Sequence, residues 1–157
     1  MENTLEQLGK LGKAYDTGFY HGTNHHLNQL EKFQIAFNST FNTEPTLLDT
    51  DNWWLRNDLM IEEVKEYADA CKDENKVEIL DALVDQMYIL CGTIVSHGMQ
   101  HIFNEAFRRV HENNMSKLVD GKPLINEVGT EYYDPSKPIG KVLKPKGYVP
   151  VDLSDLV

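Results

Sequence analysis

From residue 77 to residue 95 the chain reads V-E-I-L-D-A-L-V-D-Q-M-Y-I-L-C-G-T-I-V, and this run limits the fold more than any other segment. It is too long for one strand, and a helix that is apolar on most of its sides belongs in a core. The exceptions are Glu78, Asp81 and Asp85, spaced three and four residues apart, which puts three carboxylates in one stripe of that helix. No lysine or arginine occurs between residues 77 and 100. Carboxylates in an apolar setting must be protonated, paired with a cation or bound to a metal. With no basic neighbour in the segment, the expected partner is a hard divalent cation, Mg2+ with Mn2+ as a substitute.

A second acidic cluster comes just before. Glu62, Glu63 and Glu66 in L-M-I-E-E-V-K-E-Y share a helical face, and the polar turn Lys72-Asp73-Glu74-Asn75 separates the two helical segments. Short turns favour antiparallel neighbours. In that pairing Glu63 and Glu66 can face Glu78 and Asp81, with Asp85 one turn further along. Magnesium usually keeps water or substrate phosphate among its six oxygen ligands, so such a cage suits phosphate chemistry. A carboxylate not needed as a ligand, Glu62, could take the proton of the attacking water. Taken alone, E-E-V-K-E is an ordinary solvated helix face; the partner cluster gives it chemical meaning.

Around these two helices the periodicity predicts an all-α fold, a four-helix-bundle-like arrangement with an irregular tail. Leu27, Leu30, Phe33 or Gln34, and Phe37 mark an amphipathic helix with Asn24 as N-cap and Asn38 as stop. Asp51 is placed to cap a helix through Trp54, Met60, Val64 and Tyr67 to about Cys71, and Gly98 to break the apolar helix after His97. A fourth helix, 99–113, would turn Ile102, Phe103, Ala106, Phe107 and Val110 inward. Residues 1–22 form an arm in which Gly9, Gly12, Gly18 and Gly22 weaken the helical spacing of Leu5, Leu8, Leu11 and Tyr15. From Lys117 onward lie five of the six prolines, which predicts loops, with a short hairpin expected around 141–148. The domain plan is thus an arm at 1–22, a helical catalytic domain at 23–118, and a tail at 119–157 packed on that domain. Two such bundles in a dimer would bury more apolar surface than a monomer.

The charge balance narrows the partners. Fifteen basic against 25 acidic residues give −10, which disfavours polymeric nucleic acid and anionic membranes but leaves a small anion brought in by metal. The two cysteines, Cys71 and Cys91, suit free thiols in a reducing compartment. With no signal-like N-terminal run and no charge-free span of membrane length, a cytoplasmic location is expected. His97 and His101, four residues apart, are an incomplete zinc set. Core packing is expected for at least one of Trp53 and Trp54, ahead of base stacking. Tyr88 continues the acidic stripe and can either pack with its hydroxyl tethered or bond a ligand.

E-E-V-K-E at 62–66 with E-I-L-D at 78–81 resembles the E-E-x-x-E and E-x-x-D signature of the all-α nucleoside triphosphate pyrophosphohydrolases, which include MazG-like enzymes, phosphoribosyl-ATP pyrophosphohydrolases and dimeric dUTPases. D-A-L-V-D-Q-M-Y-I-L-C-G-T at 81–93, V-H-E-N-N-M-S-K-L at 110–118, D-G-K-P at 120–123 and K-V-L-K-P-K-G-Y-V-P-V-D-L at 141–153 resemble the bacterial and phage MazG-like branch, so the likeness runs from about residue 28 to the C-terminus. It implies magnesium-dependent hydrolysis of a nucleotide between its α and β phosphates by a helical homodimer or dimer of dimers. It also implies Glu63, Glu66, Glu78 and Asp81 as metal ligands, Glu62 assisting the water, and Asn114, Lys117 and Lys144 contacting phosphate or sugar. Other branches place their aspartate before an L-L-Y-like sequence, which selects Asp85 in D-Q-M-Y instead of Asp81 and sets Ala82 at the matching glutamate position. The expected substrate is a free deoxynucleoside triphosphate, in a phage-type version a purine such as dGTP. The alternative from another class is a noncatalytic helical dimer that binds metal or nucleotide as a sensor or assembly partner.

Overall fold

The computed structural model describes residues 25–157, so the expected arm at 1–22 and the Asn24 cap lie outside the described residues. Four α-helices dominate: α1 (His25–Ala36), α2 (Thr50–Lys72), α3 (Lys76–Ser96) and α4 (Phe103–Met115). A ribbon of β1 (Leu118–Val119) with β2 (Lys122–Pro123) and a 3-10 turn, Ser154–Leu156, complete the regular structure, which is all-α in class as expected. The described residues up to Asn104 form one compact unit and Glu105–Val157 a second, a division inside the span 23–118 that the sequence assigned to one domain.

In the first unit, α1 stops where Asn38 takes a left-handed φ of 52°, as its sequence suggested. Its buried positions are Leu27, Leu30, Glu31 and Gln34. Of the alternatives Phe33 and Gln34 it is Gln34 that lies inward, while Phe37, expected inward, is exposed and stacks on Phe33 at 4.4 Å. Gln34 takes the inner position because its amide Nε2 donates to Gly92 O at 2.8 Å and Ser96 Oγ at 3.1 Å. Asp49, not Asp51, caps α2: its backbone is extended, and its carboxylate accepts from Asn52 N at 2.9 Å and the Asn52 amide at 2.8 Å. Asp51 falls in the first turn, where a negative charge favours the helix dipole. At the other end Glu74 adopts φ 52° and the Asn75 side chain accepts from Val77 N and Glu78 N, so one helix closes and the next opens within three residues, 73–75.

The helices α2 and α3 pack along each other, and α1 packs on α3. Arg56 pins the pair: Nε donates to Thr93 Oγ1 at 3.0 Å and Nη2 to Ile89 O at 2.7 Å. Burial pulls this guanidinium below its usual pKa. The core joins Leu27, Leu30, Cys91, Ile94 and Val95, with Phe41, Met99 and Phe103 packed around it. Beside the core, the segment between α1 and α2 is tied to the end of α3. Asn42 Nδ2 donates to Ser96 O at 2.6 Å, Gln100 Nε2 to Asn42 O at 3.0 Å and Thr46 N to His97 O at 2.8 Å. Gly98, at φ 70°, ends the helix as expected and lets the Glu44 backbone come close.

Only part of α3 is a core helix. Ala82, Cys91, Gly92, Ile94, Val95 and Ser96 are buried, whereas Val77, Leu80, Leu83, Val84, Met87 and Leu90 are exposed, against the expectation of burial along the whole run. By length and hydropathy alone α3 could cross a membrane. Its C-terminal turns instead form the core, and its first half carries Glu78, Asp81 and Asp85. Both cysteines are free, as expected.

The second unit is held by polar ties more than by apolar burial. No α4 residue is buried, and Phe107 and Val110, expected inward, are exposed. The helix begins at Phe103, four residues later than expected, because 99–102 form a turn after Gly98. Glu105 bonds Arg108 at 2.7 Å and Arg109 at 2.8 Å, and these guanidiniums hold its pKa down to about 2. Arg109 also reaches Asp155 at 2.6 Å. Asn126, fully buried, organises the loop 126–141: its amide Nδ2 lies 2.8 Å from Lys137 O and 3.0 Å from Asp134 O, and its Oδ1 accepts from Asp134 N.

The hairpin lies at 118–123 and not at 141–148. Asp120 and Gly121, at φ 50° and 73°, supply the two left-handed residues of a type I′ turn. At the later position Pro145 has no N–H to give a ladder, the chain turns through Tyr148 N to Pro145 O, and Val142 bridges Ile125 instead.

Candidate active site

On the hairpin of α2 and α3, four of the other five acidic candidates act on Glu63. Its Oε2 is buried and has no hydrogen-bond partner. Burial, then the charges of Glu66, Asp85, Glu62 and Asp81 in that order, push its carboxyl above the ordinary carboxylate range. Glu62, Glu66 and Asp81 are exposed and Asp85 half-buried. Among the described residues none of the five makes an ion pair with lysine or arginine. The sixth, Glu78, is not among the groups acting on Glu63; it sits exposed in the first turn of α3, its backbone N–H donating to the Asn75 cap.

These carboxylates do not close into a cage. Among the described residues no three His, Cys, Asp or Glu side chains come together as a ready ligand set, so the expected four-ligand convergence of Glu63, Glu66, Glu78 and Asp81 is an open ring centred on Glu63. The donors nevertheless fit a hard divalent cation: they are all carboxylate oxygens, one is buried without a partner, and among the described residues no cationic side chain neutralises them. Gln86 was missed from the sequence; its Nε2 donates to Glu63 O at 3.3 Å and ties the two helices at the ring. Its signal was a lone amide beside Asp85 in an apolar run.

Other candidates resolve into structural roles. His97 Nδ1 lies 2.9 Å from Thr46 O, which fixes the loop, and His101 is exposed. Trp53 and Trp54 stack on each other at 4.5 Å and both are exposed, so neither makes the core packing expected of at least one. Tyr88 sets its ring against Phe33, edge to face at 5.6 Å.

The second unit brings its three candidates together. Lys117 Nζ donates to Asn114 Oδ1 at 2.6 Å, and the Lys117 and Lys144 ammoniums lie 5.6 Å and 5.0 Å from the centre of the Tyr148 ring. The Tyr148 hydroxyl is hydrogen-bonded to Asn113, whose Nδ2 donates to Val149 O at 2.7 Å. Tyr148 is the organising residue that the sequence reading passed over, although it follows directly on K-P-K-G.

A family model for phosphoribosyl-ATP pyrophosphohydrolase matches residues 30–114, more than half of the chain. The matched span holds all six acidic candidates and Asn114, and stops short of Lys117 and Lys144. No curated protein matches the chain.

Proposed function

Since the chain belongs to the phosphoribosyl-ATP pyrophosphohydrolase family, within the MazG-like nucleoside triphosphate pyrophosphohydrolase superfamily, we propose that it hydrolyses a free nucleoside triphosphate between the α and β phosphates to the monophosphate and pyrophosphate. Membership carries a pyrophosphohydrolase-type activity on a nucleotide. The triphosphate, the deoxyribose, a purine such as dGTP, and Mg2+ or Mn2+ as the cation make up our narrower reading. The observation that supports it is the buried, unpartnered Oε2 of Glu63 amid four other carboxylates, an arrangement that a structural role does not require and a divalent cation would relieve.

When bound, the cation would offset the ring's negative charge and polarise the phosphate oxygens. Glu63, Glu66, Asp81 and Asp85 would hold it, with Glu78 as the remaining candidate on the same stripe. Asp85, half-buried and acting on Glu63 more than Asp81 does, is the better principal aspartate. Glu62 takes the proton of the attacking water. Asn114, Lys117 and Lys144 contact phosphate or sugar. Free Cys71 and Cys91 suit the cytoplasmic setting of a nucleotide-pool enzyme.

The test is pyrophosphate release from a panel of ribo- and deoxynucleoside triphosphates with Mg2+ or Mn2+ and an EDTA control. Metal-dependent release with a deoxynucleotide preferred is the expected result. Glu62→Gln should lower turnover on the order of 100-fold while nucleotide binding persists. No turnover on any member, with nucleotide binding intact, would favour the noncatalytic sensor instead.

A second copy of the chain is the proposed cover for the exposed apolar residues of α3, Leu80, Leu83, Val84, Met87 and Leu90, and of α2, Ile61 and Val64. Sedimentation equilibrium should give a dimer or dimer of dimers, and Val84→Glu should shift it toward the monomer. A wild-type monomer at micromolar concentration removes this part of the reading.

A further inference from the structure

We propose that Arg56 is the positioning residue of the carboxylate ring: by gripping α3 at Ile89 and Thr93 it sets the register in which α2 presents Glu63 and Glu66, and α3 Asp81 and Asp85, to a divalent cation. The inference rests on the metal-site reading of the ring and adds to it a residue that touches neither metal nor substrate. Arg56 precedes Glu63 by about two turns of helix, which puts both on one face of α2. On α3, Ile89 follows Asp85 by about one turn. The grip therefore adjoins the ring on both helices.

Its hydrogen bonds form a closed set. Arg56 Nε donates to Thr93 Oγ1 at 3.0 Å, the Thr93 hydroxyl donates to Ile89 O at 2.8 Å, and Arg56 Nη2 donates to the same carbonyl at 2.7 Å. A planar fork with fixed donor directions meets both acceptors at once, which a single ammonium does not. Both acceptors are neutral, and among the described residues no acid pairs with Arg56. Nor is Arg56 among the groups whose charge acts on Glu63. Its bearing on the ring is mechanical: it holds two helices in step and neutralises no carboxylate.

Gly92 shows how closely the bundle is built around this contact. A glycine inside a helix costs stability relative to alanine and calls for a packing reason. Here a Cβ would lie 2.8 Å from Arg56 Nη2 and 3.4 Å from Gln34 Nε2, so the bare backbone admits both the guanidinium of α2 and the amide of α1. The second tie of the pair, Gln86 Nε2 to Glu63 O, is longer, at 3.3 Å. Metal sites hold their ligand distances to within about 0.2 Å. Carboxylates that carry like charge across a hairpin meet that tolerance only if the helices beneath them cannot slide.

Two measurements on the full chain test the proposal together: Mn2+ affinity without nucleotide, read from the paramagnetic resonance of free Mn2+, and melting temperature in EDTA. Gly92→Ala displaces the guanidinium but keeps its charge, and alanine's better helix propensity offsets the strain. It should weaken Mn2+ binding roughly tenfold with little change in melting temperature. Arg56→Gln and Arg56→Lys should weaken it to a similar degree, since both lose the fork. Thr93→Val should do the same, whereas Thr93→Ser, which keeps the hydroxyl, should bind as the parent does. Gly98→Ala controls for lost stability alone: it should melt well below the parent yet hold Mn2+ equally. Tighter binding by Arg56→Gln with parental binding by Arg56→Lys would make Arg56 a charge opposing the cation, and overturns the register role. Parental affinity in both Arg56→Gln and Gly92→Ala overturns it as well. Either outcome leaves the metal site standing, whereas a parent that binds no Mn2+ removes the metal site and the positioning role with it.

Discussion

Glu63→Gln makes the metal-free protein more stable at neutral pH while cutting turnover by on the order of 100-fold or more. Both effects follow from the same crowding. Burial and then Glu66, Asp85, Glu62 and Asp81 raise the Glu63 pKa above its ordinary 4.5, so the folded state binds this proton more tightly than the unfolded chain does. The penalty is therefore absent below 4.5, grows as pH climbs through the raised folded value, and is complete above it. A neutral glutamine escapes it. Melting temperature followed against pH in EDTA should show the variant's advantage appear only on the alkaline side of that window. Added Mg2+ should then stabilise the parent more than the variant, because ligand binding to the native state adds stability. A variant less stable than the parent at neutral pH in EDTA, or one with full turnover, contradicts the assignment of Glu63 as the centre of the ring.

Gly98→Ala should be the most damaging small substitution in the first unit, costing roughly 3 kcal/mol. A Cβ there would lie 2.0 Å from Glu44 O and 2.6 Å from its carbonyl carbon, and backbone at that distance cannot rotate away as a side chain would. The left-handed φ of 70° adds about 1 kcal/mol for any residue with a Cβ, and overpacking adds about 1–3. For a chain of this size that is a fall of roughly 10 °C in Tm. Gly121→Ala is the matched control: its φ is 73° and nothing lies within 4 Å of the added carbon. It should lose about 1 kcal/mol only. Equal losses in the two variants, measured by urea denaturation, would show that the approach of Glu44 carries no energy.

The helices were legible because their signals are local. Asn38, Asn75 and Gly98 act through backbone conformation and capping within a turn, and each punctuates the chain where its chemistry says it should. The spacing of Glu62, Glu63, Glu66, Asp81 and Asp85 was enough to put them on one helical hairpin within electrostatic reach of Glu63, though not into a closed ligand set, since a short turn leaves two helices little freedom but to lie side by side. What periodicity could not tell was which apolar face the chain itself covers. Phe33, Phe37 and Phe107 carry the same pattern as Leu27 and Leu30, yet Gln34 wins the interior by satisfying Gly92 O and Ser96 Oγ. The shift of the α2 cap from Asp51 to Asp49 has the same origin, because either aspartate could cap and only the extended backbone at Asp49 decides. Lys117 and Lys144, named from the sequence, do line one cavity of the second unit. Lys141 joins them through the bridge of Val142 to Ile125, a pairing that nothing in the local sequence announces.

The turn at 73–75 has a bearing on how the protein comes to life as a folded chain. Every carboxylate that acts on Glu63 lies in the αα-hairpin on either side of that turn, so the ring requires closure of one short loop only. Short closures are fast and lose little chain entropy. The bonds joining Asn42 and Thr46 to the end of α3 span much longer stretches of chain and come later on that account. By the same reasoning the acidic ring is expected to form early, with its mutual repulsion borne by the nascent hairpin from the start.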